Sequence, residues 1–219
     1  MRHLHVMASH LTLGLRARDL SCIRGGKTLF AALDVSVLPG QSLHLQGDNG
    51  SGKTSLLRLL AGLSEPARGD ILWGGRPMAQ VRETYQQDML YLGHALALKE
   101  GLSALENLQF AAAMTGQAWS PDAVTKALRQ MGLRGREHMP LQVLSQGQKR
   151  RVALARLSLS PAHLWLLDEP FVALDAAACE LLLGLMQDHV GQGGMLVFTS
   201  HQALSWRGGE HRSLRLGAP

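Results

Sequence analysis

Gly47-Asp48-Asn49-Gly50-Ser51-Gly52-Lys53-Thr54 has the form G-x-x-x-x-G-K-[ST]. Ahead of it, Ser42-Leu43-His44-Leu45-Gln46 alternates as a strand does. Behind it, Ser55 to Leu63 has helical character with no breaker before Gly62. Strand, glycine-rich turn and helix start form the setting that a phosphate-binding loop requires. Glycines let backbone N–H groups turn inward on phosphate oxygens, and the helix N-terminus adds partial positive charge. The stretch therefore predicts that Gly47, Asp48, Asn49, Gly50, Ser51, Gly52, Lys53, Thr54 and Ser55 cradle the phosphates of a nucleotide. Lys53 would reach the β- and γ-phosphates, and the Thr54 hydroxyl would hold Mg²⁺. An ordinary Gly/Ser turn would call for neither the lysine nor both flanks.

A chain of 219 residues is long enough for one substantial core and short for two. Hydrophobic residues make up 46%, with a mean hydropathy near zero, which suits a soluble globular protein. The 22 Lys and Arg against 17 Asp and Glu leave a formal charge of +5. That excess permits a nucleic-acid or anionic-lipid partner without requiring one, since the densest basic cluster is only Lys149-Arg150-Arg151. Cys22 and Cys179 are too few and too distant for a disulfide framework, and they fit a reducing compartment. The start of the chain lacks the continuous apolar segment of a secretory signal, and His3, His5 and His10 are spaced too loosely for a metal site. No run approaches the ~20 apolar residues of a membrane-spanning helix, so a membrane role would come through a partner.

Along the chain, residues from about Thr12 to Leu45 read as β-rich, with a hairpin turn at Gly25-Gly26 and a stop at Pro39-Gly40. The helix after the phosphate loop ends near Leu63, and Asp70–Trp73 is a short strand before the Gly74-Gly75 turn. From about Asp88 to Ser158 the pattern becomes helical, with helices expected over Ala104–Thr115, Asp122–Met131 and Gln146–Leu157. Ser120 is placed to cap the second of these. Strand character returns at His163–Leu167 and Met195–Thr199, with a helix over Ala176–His189 between them and a last strand over Arg212–Leu216. Strand–helix alternation around a phosphate loop implies an α/β fold with a parallel core sheet. The organisation predicted is one domain over residues 1–219: a β-rich N-terminal subdomain, the core, and a helical subdomain inserted over about residues 88–158.

A second motif is Leu164-Trp165-Leu166-Leu167-Asp168-Glu169-Pro170, an apolar strand ending in two carboxylates. Asp168 at the strand tip can hold Mg²⁺, and Glu169 is placed to polarise an attacking water. Taken alone, such a pair could be a solvated acidic turn; the phosphate loop gives it meaning. In the third motif, Leu144-Ser145-Gln146-Gly147-Gln148, Ser145 can cap the helix that follows. A serine, a glycine and a helix N-terminus also make an anion site. These residues by themselves leave both readings open.

Five motifs in this order, Gly47–Thr54, Leu144–Gln148, Asp168-Glu169, Ala173-Leu174-Asp175 and His201, resemble those of the ATP-binding-cassette ATPases, and the resemblance spans essentially the whole chain. It implies a phosphate-loop NTPase fold, with ATP and Mg²⁺ as cofactors. Thr54 and Asp168 would hold the metal, Glu169 would activate water, and His201 would sense the γ-phosphate. It also implies two ATP molecules buried between head-to-tail protomers of a homodimer, where Ser145, Gly147, Gln148 and Asp175 of one reach the ATP of the other. Asp175 can cap the helix Ala176–His189 at the same time.

The chain departs from the family pattern at Gln146, where glycine is usual, and at His94, which stands where a glutamine for magnesium and water is expected. Imidazole can take a metal, but its reach and charge differ from an amide's. Arg24 falls where an adenine-stacking aromatic is expected, while Phe30 reads as core. Within the family, Leu92-Gly93-His94 followed by the run Leu102–Leu108 is similar to the haem-exporter ATPases of cytochrome c maturation. That similarity implies integral membrane subunits as partners, a haem chaperone further on, and a peripheral place on the cytoplasmic face of the bacterial inner membrane. Competing readings are a cassette ATPase working on DNA or ribosomes, and a nucleotide-gated binding module without useful turnover.

Overall fold

The computed structural model describes residues 14–202 and 204–217. The histidines of the first ten residues and the expected start of the β-rich entry at Thr12 lie outside them. The described residues divide into two compact units: those up to 91, 162–169 and those from 187 onward in the first, and 92–161 with 170–186 in the second.

The first unit contains two sheets. Strands β1 (Leu15–Arg24) and β2 (Lys27–Val37) form an antiparallel hairpin closed by Gly25 and Gly26, both at positive φ, which a two-residue turn between twisted strands demands. β4 (Arg68–Trp73) pairs antiparallel with β1, and the short β5 (Arg76–Pro77) pairs with β4, giving the order β2-β1-β4-β5. The other sheet has five strands in the order β6-β7-β8-β3-β9. They are β3 (Gln41–Gln46), β6 (Met89–Leu92), β7 (Leu164–Leu167), β8 (Met195–Thr199) and β9 (Glu210–Arg215). β3, β7, β8 and β9 pair in parallel. β7 and β8 are buried at every position, as strands covered on both faces must be.

Helix α1 (Lys53–Leu60) follows β3 and buries Leu56, Leu57, Leu59 and Leu60. It ends three residues earlier than the expected Leu63. Gly62 takes positive φ, its N–H reaches Leu59 O, and Leu63 N–H reaches Arg58 O, which is the geometry of a glycine-terminated helix. A short helix α2 (Arg82–Asp88) precedes β6; its one fully buried side chain, Tyr85, donates its hydroxyl to Leu60 O.

In the second unit, helices α3 (Ala104–Met114), α4 (Pro121–Gln130) and α5 (Gln146–Leu154) carry the apolar positions Leu108, Val124, Leu128 and Val152 inward. Ser103 caps α3 in a capping box with Glu106, and Ser120 caps α4 as expected. Residues 155–157, expected to end the third helix, belong instead to a 3-10 helix over Ala155–Ser158. Helix α6 (Ala176–Gly191) begins in this unit and its last residues belong to the first. Two boundaries differ from the sequence reading. Met89–Leu92 is a strand of the parallel sheet and not the opening of a helical stretch, and the second unit also takes in residues 170–186.

Candidate active site

Sheet order explains why the chemistry of the first unit gathers at one edge. β7, β8 and β3 are neighbours running in the same direction, so Asp168, Thr199 and Gly47 all emerge at their carboxyl ends. Ligands of open parallel sheets collect there. Thr199 ends the middle strand, and its side chain binds the acidic pair at the end of β7: Oγ1 donates to Asp168 Oδ1 at 2.9 Å and accepts from Glu169 N–H at 2.7 Å. Asp168 Oδ2 accepts from Thr54 Oγ1 at 2.8 Å. Thr54, Asp168, Thr199 and Glu169 thus form one hydrogen-bonded chain from the phosphate loop to the acidic pair.

The loop itself is held open by backbone conformations that side chains resist. Gly47, Gly50 and Gly52 sit at φ of 139°, 83° and 100°. A Cβ on Gly47 would come within 2.3 Å of Leu216 O, so this position is closed to every other residue. Gly52 lies against Phe30, a core residue as expected. Lys53 folds back into the loop, its Nζ donating to Gly47 O at 2.7 Å and Asp48 O at 3.1 Å. Its cation therefore sits among the loop's own oxygens, with a third donor in hand.

Glu169 adopts a positive φ of 48°, a conformation that costs a non-glycine residue about 1 kcal/mol and that the Thr199 bond helps to impose. His201 Nε2 lies 3.4 Å from Glu169 Oε1, so the two side chains expected to act on the γ-phosphate and the water are neighbours. Asp168 is buried at 2% exposure, whereas His201 is more than half exposed. The Tyr91 phenol on β6 titrates above its ordinary range, first through burial and then through the negative charge of Asp168. Thr54 and Asp168 supply the hydroxyl and carboxylate oxygens that a hard dication prefers. Among the described residues, no group of three or more His, Cys, Asp and Glu side chains could hold a metal.

The remaining candidates belong to the second unit. Ser145 caps α5: Gln148 N–H donates to its Oγ at 3.3 Å, while the Gln148 side-chain oxygen accepts from Ser145 N–H at 2.9 Å. Both residues expected to approach nucleotide are therefore tied into a capping box, leaving other helix N–H groups for an anion. Gly147 packs against the Ala173 carbonyl, where a Cβ would lie 2.5 Å from its oxygen; this contact alone requires glycine. Asp175 caps α6 through Ala178 N–H at 2.9 Å and pairs with Arg151. Its carboxyl is held below the usual range, first by that N–H and further by the Arg151 cation. His94 presents an exposed ring, and its backbone oxygen accepts from Arg150. The basic cluster is engaged within the unit: Lys149 pairs with Glu100 at 2.7 Å and Arg151 with Asp175. Arg24 ends β1 with an exposed side chain.

Sequence reasoning missed Thr199 as a site residue. Its one available signal was position, as the last residue of an apolar strand two residues before His201.

A glycine-lined loop between β3 and α1, facing a carboxylate pair at the end of a buried parallel strand, defines a nucleotide-binding protein of the phosphate-loop class. Residues 30–172 match the family model described as ABC transporter. The chain is 50% identical over 203 residues to the cytochrome c biogenesis ATP-binding export protein CcmA of Dechloromonas aromatica (strain RCB), covering 93% of this chain and all of that one. Among solved structures it resembles a putative ABC transporter ATP-binding protein from Pyrococcus furiosus, at TM-score 0.80 and 26% identity, with 93% and 97% of the two chains covered. It also shares the fold of a dimeric ATP-binding cassette in a post-hydrolysis state bound to ADP and Pi, at TM-score 0.74 and 22% identity over 86% and 88% of the chains. The chain belongs to the ABC transporter ATP-binding family, with its curated relatives among the CcmA cytochrome c biogenesis proteins. It is a nucleotide-binding ATPase cassette. No helix among the described residues is long and apolar enough to cross a membrane.

Proposed function

We propose that this cassette hydrolyses ATP to drive a membrane ABC complex in cytochrome c biogenesis, powering haem export or the release of a haem-loaded chaperone. The observation that carries the reading is the hydrogen-bonded chain Thr54–Asp168–Thr199–Glu169, with His201 beside its end. Phosphoryl transfer asks a protein mainly for positioning and charge neutralisation, and this chain supplies both. The N–H groups of residues 47–55 bind the phosphates, and Lys53 exchanges its loop carbonyls for β- and γ-phosphate oxygens. Glu169 accepts a proton from the attacking water, and His201 donates to the γ-phosphate. Thr54 and Asp168 would hold Mg²⁺, which would neutralise phosphate charge when bound.

Two such cassettes work head to tail, Ser145, Gly147, Gln148 and Asp175 of one addressing the nucleotide of the other. The dimeric state of the relative with ADP and Pi supports this arrangement. Integral membrane subunits hold the pair at the cytoplasmic face of the bacterial inner membrane. Their contact is the segment 95–106 with the exposed Phe110 and Met114 of α3. Asn107 fixes that segment by bonding to the backbone of Lys99, Leu102 and Ser103, so it presents a defined shape.

Phosphate release with and without the membrane subunits tests the ATPase coupling, with stimulation expected. Phe110→Asp with Met114→Asp is expected to abolish co-purification with those subunits. Unchanged association would remove this face from the reading.

A further inference from the structure

We propose that His44 is a positioning residue for His201, acting through the backbone carbonyl of Ser200. The inference rests on His201 as the γ-phosphate sensor. His44 lies on β3, three residues before the phosphate loop, at 6% exposure. A buried imidazole on a strand paired along both edges needs both ring nitrogens satisfied. They are: Gln46 Nε2 approaches His44 Nδ1 at 3.3 Å, and His44 Nε2 lies 3.1 Å from Ser200 O. An amide nitrogen can only donate and a carbonyl can only accept, so Nδ1 accepts from Gln46 and Nε2 donates to Ser200 O. The ring also stacks flat on Phe198 of β8, centroids 4.6 Å apart and planes 8° from parallel.

The stretch 199–202 is therefore anchored at two successive residues just before the sensor, and a local bond follows them. Thr199 is bonded to Asp168 and Glu169, Ser200 O accepts from His44, and Ser200 Oγ accepts from Gln202 N–H at 3.0 Å. The His201 ring is largely exposed, so its aim depends on the backbone anchored just before it. The anchor also ties His201 to the strand that carries the phosphate loop, which fixes sensor and loop to one frame. A ring in this place offers donor and acceptor at once, which an apolar side chain cannot.

Two variants separate the hydrogen bonds from the packing. His44→Phe keeps a ring to stack on Phe198 and loses both bonds; His44→Gln loses the ring but can donate to Ser200 O and accept from Gln46. For the full-length protein, steady-state phosphate release by His44→Phe is expected to fall about tenfold. Affinity for a fluorescent ATP analogue should stay within about twofold, because the loop is untouched. His44→Gln is expected to recover most of the lost turnover. In a His201→Ala background, His44→Phe should cost nothing further, since the residue it positions is gone.

Native turnover in His44→Phe, equal loss in His44→Gln, or an undiminished loss in the His201→Ala background would each overturn the inference. Native turnover in His201→Ala alone would instead bring down the sensor reading, and His44's role with it.

Discussion

Replacing Thr199 with valine preserves the side-chain shape and removes the oxygen on which the acidic pair converges. Two interactions go with it: a hydroxyl bond to the buried Asp168 carboxylate and the acceptor for Glu169 N–H. A bond to an ionised group contributes about 1.5–3 kcal/mol and a lost partner for a backbone N–H about 1 kcal/mol, so roughly 3 kcal/mol of stability should disappear. In a protein of this size that lowers Tm by about 6–12 °C. The effect on catalysis should be larger than this loss suggests. Glu169 sits at positive φ, and without its tether the backbone can relax, displacing the carboxylate. A displacement of about 1 Å costs on the order of a hundredfold in rate. Thermal unfolding and phosphate release, measured beside Thr199→Ser, check this; the serine keeps the hydroxyl and should stay within about 1 kcal/mol and a few-fold of native. A Thr199→Val protein that melts within 2 °C of native and turns over normally would refute the argument.

Gly47→Ala should abolish nucleotide binding in a filter or fluorescence assay, because both the positive φ and the closeness of Leu216 O exclude a methyl group. Ser145→Asp should keep the α5 cap and leave stability within about 0.5 kcal/mol. Its added charge should nonetheless suppress phosphate release if Ser145 meets a triphosphate; full turnover would reduce Ser145 to a cap. His189, stacked on Trp165 and bonded to two carbonyls, is pushed down to about 4 by burial from an ordinary 6.5. The folded state thus refuses a proton that the unfolded state accepts. Stability is undiminished above pH 6.5 and declines as pH falls from 6.5 towards 4, by up to about 3 kcal/mol. His189→Phe should flatten that portion of the stability–pH profile in urea titrations.

Some elements were legible in the sequence because local chemistry dictates them. The phosphate loop needs glycines where φ is positive, and Gly47 and Gly52 meet that need against Leu216 O and Phe30. The continuously apolar runs before Asp168 and Thr199 could only be buried strands. What escaped depends on neighbours distant in sequence. Ser42-Leu43-His44-Leu45 alternates in polarity, yet all four residues are buried, with Ser42 Oγ bonded to Glu210 O and His44 Nε2 to Ser200 O. The helix Arg82–Asp88 buries a single residue fully, leaving no periodicity to detect. Met89–Leu92 is too short to declare itself as a strand without its place beside β7. At the site, Thr199 is an unremarkable β-branched strand residue until the order β7-β8-β3 places it between Asp168 and the loop.

The most direct test of the paired ATPase is the mass of the Glu169→Gln protein in Mg-ATP, measured by light scattering on a sizing column. With the carboxylate that activates water neutralised and the phosphate loop intact, ATP should be bound and held unhydrolysed, and the protein should elute with twice the mass of one chain. A single-chain mass at saturating ATP, with or without the membrane subunits, would contradict the shared nucleotide site and the role assigned to Ser145.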